Sequence, residues 1–431
     1  MTEVSPFLYP LILTIFGLGY LAIILEYNIK INKTAVALLI AVLCWVVYFA
    51  TSSESLANDL KHLGEHVNDV SQIIFFLMGA MTLVELIDSH KGFKIVTDII
   101  NTNSKRKMVW IISFTAFCLS AVLDNLTTTI LMISLLRKMI PNRSDRFLLS
   151  CIVVFAANAG GAWTPIGDVT TTMLWINGQV TTLKVMKALL LPSLISMIVP
   201  MFWYSSQQKG EYEQPTADEF DVIPEPGARL VFFLGIGALI FVPIFKTLTG
   251  LPPFMGILIG LAVLWLVTDI LHHKYEHRQH LRVPTVLTRI DTSGVLFFLG
   301  ILLTINALET AGILSNLAVW LENTVHNEVI IAALIGVLSA IVDNVPLVAG
   351  TMGMYPLSEF PPDSGLWHMI AYTAGTGGSL LLIGSSAGVA LMGLEKIDFF
   401  AYMKKMTIPV FIGYLCGLGV YLLQNWFLGY Q

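Results

Sequence analysis

Unbroken apolar runs of about 20 residues recur along this chain and constrain its fold more than any other feature. LYPLILTIFGLGYLAIILE (8–26) and KTAVALLIAVLCWVVYFAT (33–51) are the first two. Each is long enough to cross ~30 Å of hydrocarbon as a helix. A backbone inside hydrocarbon must satisfy its own hydrogen bonds, which leaves only helices and closed barrels. Barrels need short strands of alternating polarity, so continuous apolar runs select helices. The composition agrees, with 55% hydrophobic and only 12% charged residues. A soluble domain carries about 25% charged residues, so this chain cannot coat itself for water. It reads as an all-α polytopic membrane protein.

Several classes fall away. A net charge of −5 with no basic domain argues against nucleic acid. Cys44, Cys118, Cys151 and Cys416 stand singly inside apolar runs, without the spacing of a metal site or redox motif. The first run lacks a basic leader and a small-residue cleavage site, so it is expected to be a mature helix. The GxGxxG-like and TGGS strings lack a strand–helix setting, so neither a nucleotide cofactor nor an enzyme active site is expected.

The chain also resembles itself. SQIIFFLMGAMTLVEL (71–86) matches SGVLFFLGILLTINAL (293–308). SAVLDNLTTTI (120–130) matches SAIVDNVPLVA (339–349), and AGGAWTPIGD (159–168) matches TGGSLLLIGS (376–385). Three matches in one order mark a duplication. The halves are 1–204 and 229–431, joined by an acidic linker at 205–228.

In the first half, full helices are expected at about 8–26, 33–51, 70–88 and 186–204. The arms 108–123 and 126–138, separated by Asp124 and Asn125, suit a re-entrant hairpin. The run 147–176 is one crossing broken by Gly160, Gly161, Thr164, Pro165 and Gly167. The second half repeats this scheme, with helices at about 230–246, 253–271, 291–309 and 406–428. Its hairpin is expected at 328–357 and its broken crossing at 367–393.

Five crossings plus one hairpin is an odd count, so the halves should lie inverted in the membrane. With the amino terminus outside, only Lys61, Lys184, Lys187 and Lys246 of the 24 basic residues fall on the outer side. Such an asymmetry is what the positive-inside rule requires. Ten crossings with both termini outside is the expected topology.

Inverted repeats with broken helices place ion sites near the midplane, at the breaks. The candidates are Asp124, Asn125 and Thr128 at the first tip, and Asn158, Thr164 and Asp168 at the first break. The second half adds Asp343, Asn344, Ser385 and Ser386. Their oxygens are hard ligands suited to Na⁺ or Li⁺, and the sodium ion is expected at Asp124, Asn158, Asp168 and Asp343. Asp124, Asp168 and Asp343 could instead be N-caps. A cap, however, can be Ser or Asn, whereas a carboxylate in the bilayer costs a few kcal/mol and usually serves a function. Glu85 is a candidate accessory acid, while Glu309 sits close enough to a helix end to reach the headgroups. The histidines at 272, 273, 277 and 280 read as a solvated cytoplasmic tract.

Three carboxylates with no Lys or Arg beside them call for a cation or protons. That favours Na⁺(Li⁺)/H⁺ exchange at a shared site, with these ions as cargo and no cofactor. The alternative is Na⁺-coupled symport of a small anion. A channel-like subunit of a larger pump is a third reading, for which no partner site is apparent.

NAGGAWTPIGDVTTTMLW (158–175), with LDNLTTTI and VDNVPLVAG, closely resembles the NhaD-type sodium/proton antiporters of the ion transporter superfamily. The resemblance covers essentially the whole chain. It implies a homodimer in membrane lipid, each protomer split into a scaffold and a mobile unit that moves like an elevator. A bacterial inner membrane is the default location. Ser385 stands where Asp168 stands, and Gly375 where Asn158 stands, so the pseudo-symmetry does not extend to the ligands.

Overall fold

The computed structural model describes residues 8–52, 55–97, 100, 102–140, 142–212 and 225–428. The first half contains α1 (Leu8–Ile24), α2 (Lys33–Thr51), α3 (Leu56–Ser89), α4 (Lys105–Leu123), α5 (Asn125–Met139), α6 (Arg143–Ala162), α7 (Val169–Ile176) and α8 (Thr182–Gln207). The second contains α9 (Ala228–Thr249), α10 (Pro253–His272), α11 (Thr292–Thr310), α12 (Ile313–Val325), α13 (Glu328–Leu338), α14 (Asn344–Met354), α15 (Gly365–Gly377), α16 (Ser386–Glu395) and α17 (Phe399–Leu428). No strand occurs among the described residues. Nine of these helices are long and apolar enough to cross a membrane: α2, α3, α4, α6, α8, α9, α10, α11 and α17. They expose large apolar side chains such as Leu39, Val42, Phe202, Leu266, Ile270 and Ile408, as a lipid-facing surface must. The protein is an all-helical integral membrane protein.

Two packing groups emerge. In one, α2 lies on α11, α10 on α9, and α3 on α10. In the other, α8 lies on α17, α4 on α6, and α13 on α15. The helices at the centre of the second group are buried all round: α6 from Leu148 to Ala162, and α15 from Leu366 to Gly377. Small residues permit this, because without side chains two backbones can touch. A Cβ on Gly160 would sit 2.3 Å from the Phe117 carbonyl oxygen, and one on Gly377 would sit 2.0 Å from that of Gly336.

The same contacts recur at the paired positions of the two halves. Ser120 Oγ donates to the Ala157 carbonyl at 2.6 Å, and Ser339 Oγ to that of Ala374 at 2.9 Å. Cβ atoms on Gly167 and Gly384 would strike the carbonyls of Ser120 and Ser339. Each serine therefore pins a hairpin arm to the broken helix beside it, just before the tip.

Element boundaries differ from the sequence expectation in four places. The helix expected from about 70 begins at Leu56 and runs 34 residues. At 1.5 Å per residue that is about 50 Å, so it extends well past the hydrocarbon. An apolar window ends where polarity begins, but a helix capped by Ser55 does not. In the same way, α4 takes in Lys105, Arg106 and Lys107, and its 19 residues suffice to cross alone, although it was expected as a short arm. The additional helix α12 precedes the second hairpin and bends 117° into α13. Finally, α17 starts at Phe399, seven residues earlier than expected. The acidic linker retains helix up to Gln207, while its residues 213–224 lie outside the described residues.

Candidate cation site

Asp168 is the centre of the buried polar residues. The segment WTPIGD (163–168) cannot continue α6, since Pro165 lacks an amide hydrogen and Gly167 packs under the Ser120 carbonyl. The chain leaves the helix, and Asp168 starts it again as the N-cap of α7, its Oδ1 accepting the Thr170 amide at 3.0 Å. Ser385 does the same for α16 in the second half, accepting the Gly388 amide.

The second oxygen of Asp168 is held by both hairpins. Asn125 Nδ2 donates to Oδ2 at 3.0 Å, and Asn344 Nδ2 donates to the same oxygen at 3.4 Å. Asn125 Nδ2 also donates to Asn158 Oδ1 at 3.0 Å. Asn158 passes the connection on, donating to Ser385 Oγ at 3.0 Å. The path Ser385–Asn158–Asn125–Asp168–Asn344 therefore joins both tips and both breaks. Asp168, Asn158 and Ser385 are essentially shielded from solvent. Gly375, which replaces Asn158 in the second half, packs closely there: a Cβ would lie 3.0 Å from Ala162 Cβ and 3.8 Å from Asp168 Oδ2.

The tip carboxylates are placed otherwise. They were expected to converge on the breaks and on one another. Instead each turns back onto its own helix, and the asparagine beside it reaches in. Asp124 Oδ1 accepts the Thr127 amide and Oδ2 the Thr127 hydroxyl, both at 2.8 Å. Its φ of 94° with ψ of 161° lies in a region that is essentially glycine's, so the first tip is held there under strain. Asp343 Oδ1 accepts the Val345 amide at 3.2 Å. Both carboxylates remain within electrostatic reach of Asp168.

The expectation that no basic group stands near the tips also fails. Lys33 Nζ lies 4.0 Å from Asp343 Oδ2 and 4.4 Å from the Phe297 ring centre. A lysine at the start of α2 reaches this depth along its own flexible stem.

The remaining candidates are peripheral to Asp168. Thr164 Oγ1 donates to the Ala121 carbonyl at 2.7 Å and so ties the break to α4. Thr128 lies one turn along α5 from Asn125, buried, with no partner for its hydroxyl. Ser386 opens α16 half-buried, beside Ser385. Glu85 is elsewhere: it accepts from Ser89 at 3.4 Å, near Asp88 and Arg289. The sequence reading missed Lys33 and the paired serines. The serines were legible, since SAVLDN and SAIVDN carry one at the same distance before each tip.

Among the described residues, no three His, Cys, Asp or Glu side chains gather as a metal centre. One carboxylate surrounded by amide and hydroxyl groups instead suits a weakly held alkali cation.

The model of the citrate-transporter family matches residues 20–369. Sodium/proton antiporter 1 of Arabidopsis thaliana is 54% identical over 412 residues, covering 95% of this chain and 71% of that protein. Sodium/proton antiporter 2 of the same plant is 51% identical, covering 95% of this chain and 98% of that protein. The Na⁺/H⁺ antiporter NhaD of Vibrio cholerae is 31% identical, covering 96% and 91% respectively. The matched span and these identities place the chain in the citrate-transporter family, among the NhaD-type sodium/proton antiporters.

Proposed function

We propose that this protein exchanges Na⁺, and also Li⁺, for H⁺ across a membrane, with both ions using Asp168. The observation that carries this reading is the buried Asp168 carboxylate, whose oxygens accept from a backbone amide N–H and two side-chain amides. Each amide side chain carries a donor and an acceptor. Asn125 and Asn344 offer N–H to a bare carboxylate, and by turning over they offer oxygen to a cation beside it. A protonated Asp168 needs no cation. One site therefore holds either ion but not both, which is the requirement for exchange.

In this reading the tip asparagines and Asn158 contribute the neutral ligands, with Ser385 supporting Asn158 and Thr128 one turn away. Asp124 and Asp343 hold the tips in shape and add to the negative field. The two halves lie inverted, each with five crossings, one of them broken, and a re-entrant hairpin. The group containing both hairpins and both breaks moves against the α2–α3–α9–α10–α11 group, within a homodimer. The asymmetry of basic residues and the paired serine and glycine contacts support the inverted arrangement.

Two experiments test this. NaCl added to proteoliposomes containing a trapped pH dye should produce a pH change with no organic anion present. A response only when an anion is supplied would favour symport. Cysteines introduced at 54–68 should react from outside and those at 272–289 from the cytoplasm. Labelling of both from one side would contradict inversion.

A further inference from the structure

We propose that Lys246 is a positioning residue for the exchange: it clasps the carbonyl end of α7, the half-helix that Asp168 begins, and so favours one of the two positions of the moving group. The inference rests on the exchange reading above, in which that group moves against α2, α3, α9, α10 and α11. Lys246 lies in the last turn of α9, and α9 packs on α10 and α3. A lysine at such a place ordinarily extends along its stem to the headgroups. This one turns inward instead and is half-buried. Among the described residues no carboxylate pairs with it.

Its partner is the end of a helix. Lys246 Nζ donates to the Trp175 carbonyl, and the same ammonium lies 4.4 Å from the centre of the Trp175 ring. Trp175 stands seven residues beyond Asp168, in the last turn of α7. The last carbonyls of a helix find no amide within it and carry partial negative charge. An ammonium satisfies both, and the ring face adds an attraction that is largest where water is excluded. Trp175 is only 1% exposed. Phe76 of α3 meets its ring edge-on, with centroids 6.5 Å apart. Trp175 is therefore gripped by two helices of the fixed group, while α7 packs on α14 and α15 of the moving one.

When the moving group carries α7 away from α9, the carbonyl and the ring leave the ammonium together. The clasp thus belongs to one position only, and a contact made in one state weights the equilibrium towards that state. Na⁺ on either face meets only the fraction of protein open to it. Its apparent affinities on the two faces therefore depend on that weight in opposite directions.

The test is Lys246→Met, which keeps the length of the side chain and removes its charge. KM for Na⁺ is measured from each face of oriented proteoliposomes. The ratio of the two values should change about tenfold, one rising while the other falls. Lys246→Arg, whose charge also sits well on an aromatic face, should stay near the native ratio. So should Lys187→Met, which removes an exposed lysine expected on the same side. Values that shift in the same sense on both faces, or not at all, would overturn the proposal, because a distorted site loosens Na⁺ from either side. Lys246→Gln keeps a donor for the carbonyl and covers the case in which methionine disturbs folding; its shifts should be smaller and of the same sense. Hydrogen exchange of the solubilised full chain reads the clasp without transport. Deuterium uptake over 169–180 should quicken about tenfold in Lys246→Met, and unchanged uptake would overturn the clasp. Absence of exchange in the native protein would instead overturn the exchange reading and leave the clasp to be decided by uptake.

Discussion

Asp168→Asn is expected to abolish Na⁺-driven proton movement while leaving the protein folded. The substitution keeps an oxygen that can cap α7 and accept the Thr170 amide, so the local structure survives. It removes the one charge held by both hairpin asparagines. Removing one partner of a buried charge pair costs about 3–5 kcal/mol. At 1.4 kcal/mol per factor of ten, Na⁺ affinity should fall by at least ~100-fold. The proton loses its seat as well, so both directions stop. Flux within a few-fold of the native rate in dye-loaded proteoliposomes would place the exchange elsewhere. Asp124→Asn and Asp343→Asn provide the contrast. Asparagine still caps α5 and α14 and meets the backbone of the first tip no worse than aspartate does, so both variants should retain measurable exchange.

The second large effect concerns the fold that brings the tips together. Gly377→Ala places a Cβ 2.0 Å from the Gly336 carbonyl oxygen, and Gly160→Ala one 2.3 Å from that of Phe117. The obstacle in each case is backbone, which no rotamer change relieves. The helix pairs α13–α15 and α4–α6 must separate, and overpacking of this kind costs about 1–3 kcal/mol or more. Both variants should yield less monodisperse protein and melt earlier in a thermal scan. Gly350→Ala is the control: a Cβ there meets nothing within 4 Å, and a helix interior prefers alanine by about 0.5–1 kcal/mol. Melting of Gly377→Ala at the native temperature would show that the close approach is not required.

The breaks and tips were legible in the sequence because Gly-Pro clusters and paired polar residues interrupt apolar runs. WTPIGD and DN announce themselves for that reason. Which side chain of each tip points inward was not legible. In Asp-Asn, either residue could cap, and the choice depends on the backbone turn, in which Asp124 takes φ 94° and Asn125 is already helical. A carboxylate accepts helix N–H groups better than an amide does, so aspartate caps and asparagine reaches in. The polar half of α3 escaped notice because apolarity marks a membrane span rather than a helix. The Lys33–Asp343 contact joins residues 310 positions apart, and sequence pattern carries no signal over that separation.

Calorimetric titration of Na⁺ into solubilised protein at a series of pH values tests the shared site most directly. If Na⁺ and H⁺ compete for Asp168, each Na⁺ bound displaces a proton wherever the carboxyl is protonated. Linkage then requires the Na⁺ affinity to strengthen as pH rises, by up to about tenfold per unit for one proton displaced. The gain ends once the carboxylate is ionised before Na⁺ arrives. Heats measured in buffers of different ionisation enthalpy should differ by the proton released, and Asp168→Asn should lose both the affinity and that dependence. A Na⁺ affinity that stays flat from about pH 6 to 9, with no proton released, would contradict a carboxylate shared by the two ions.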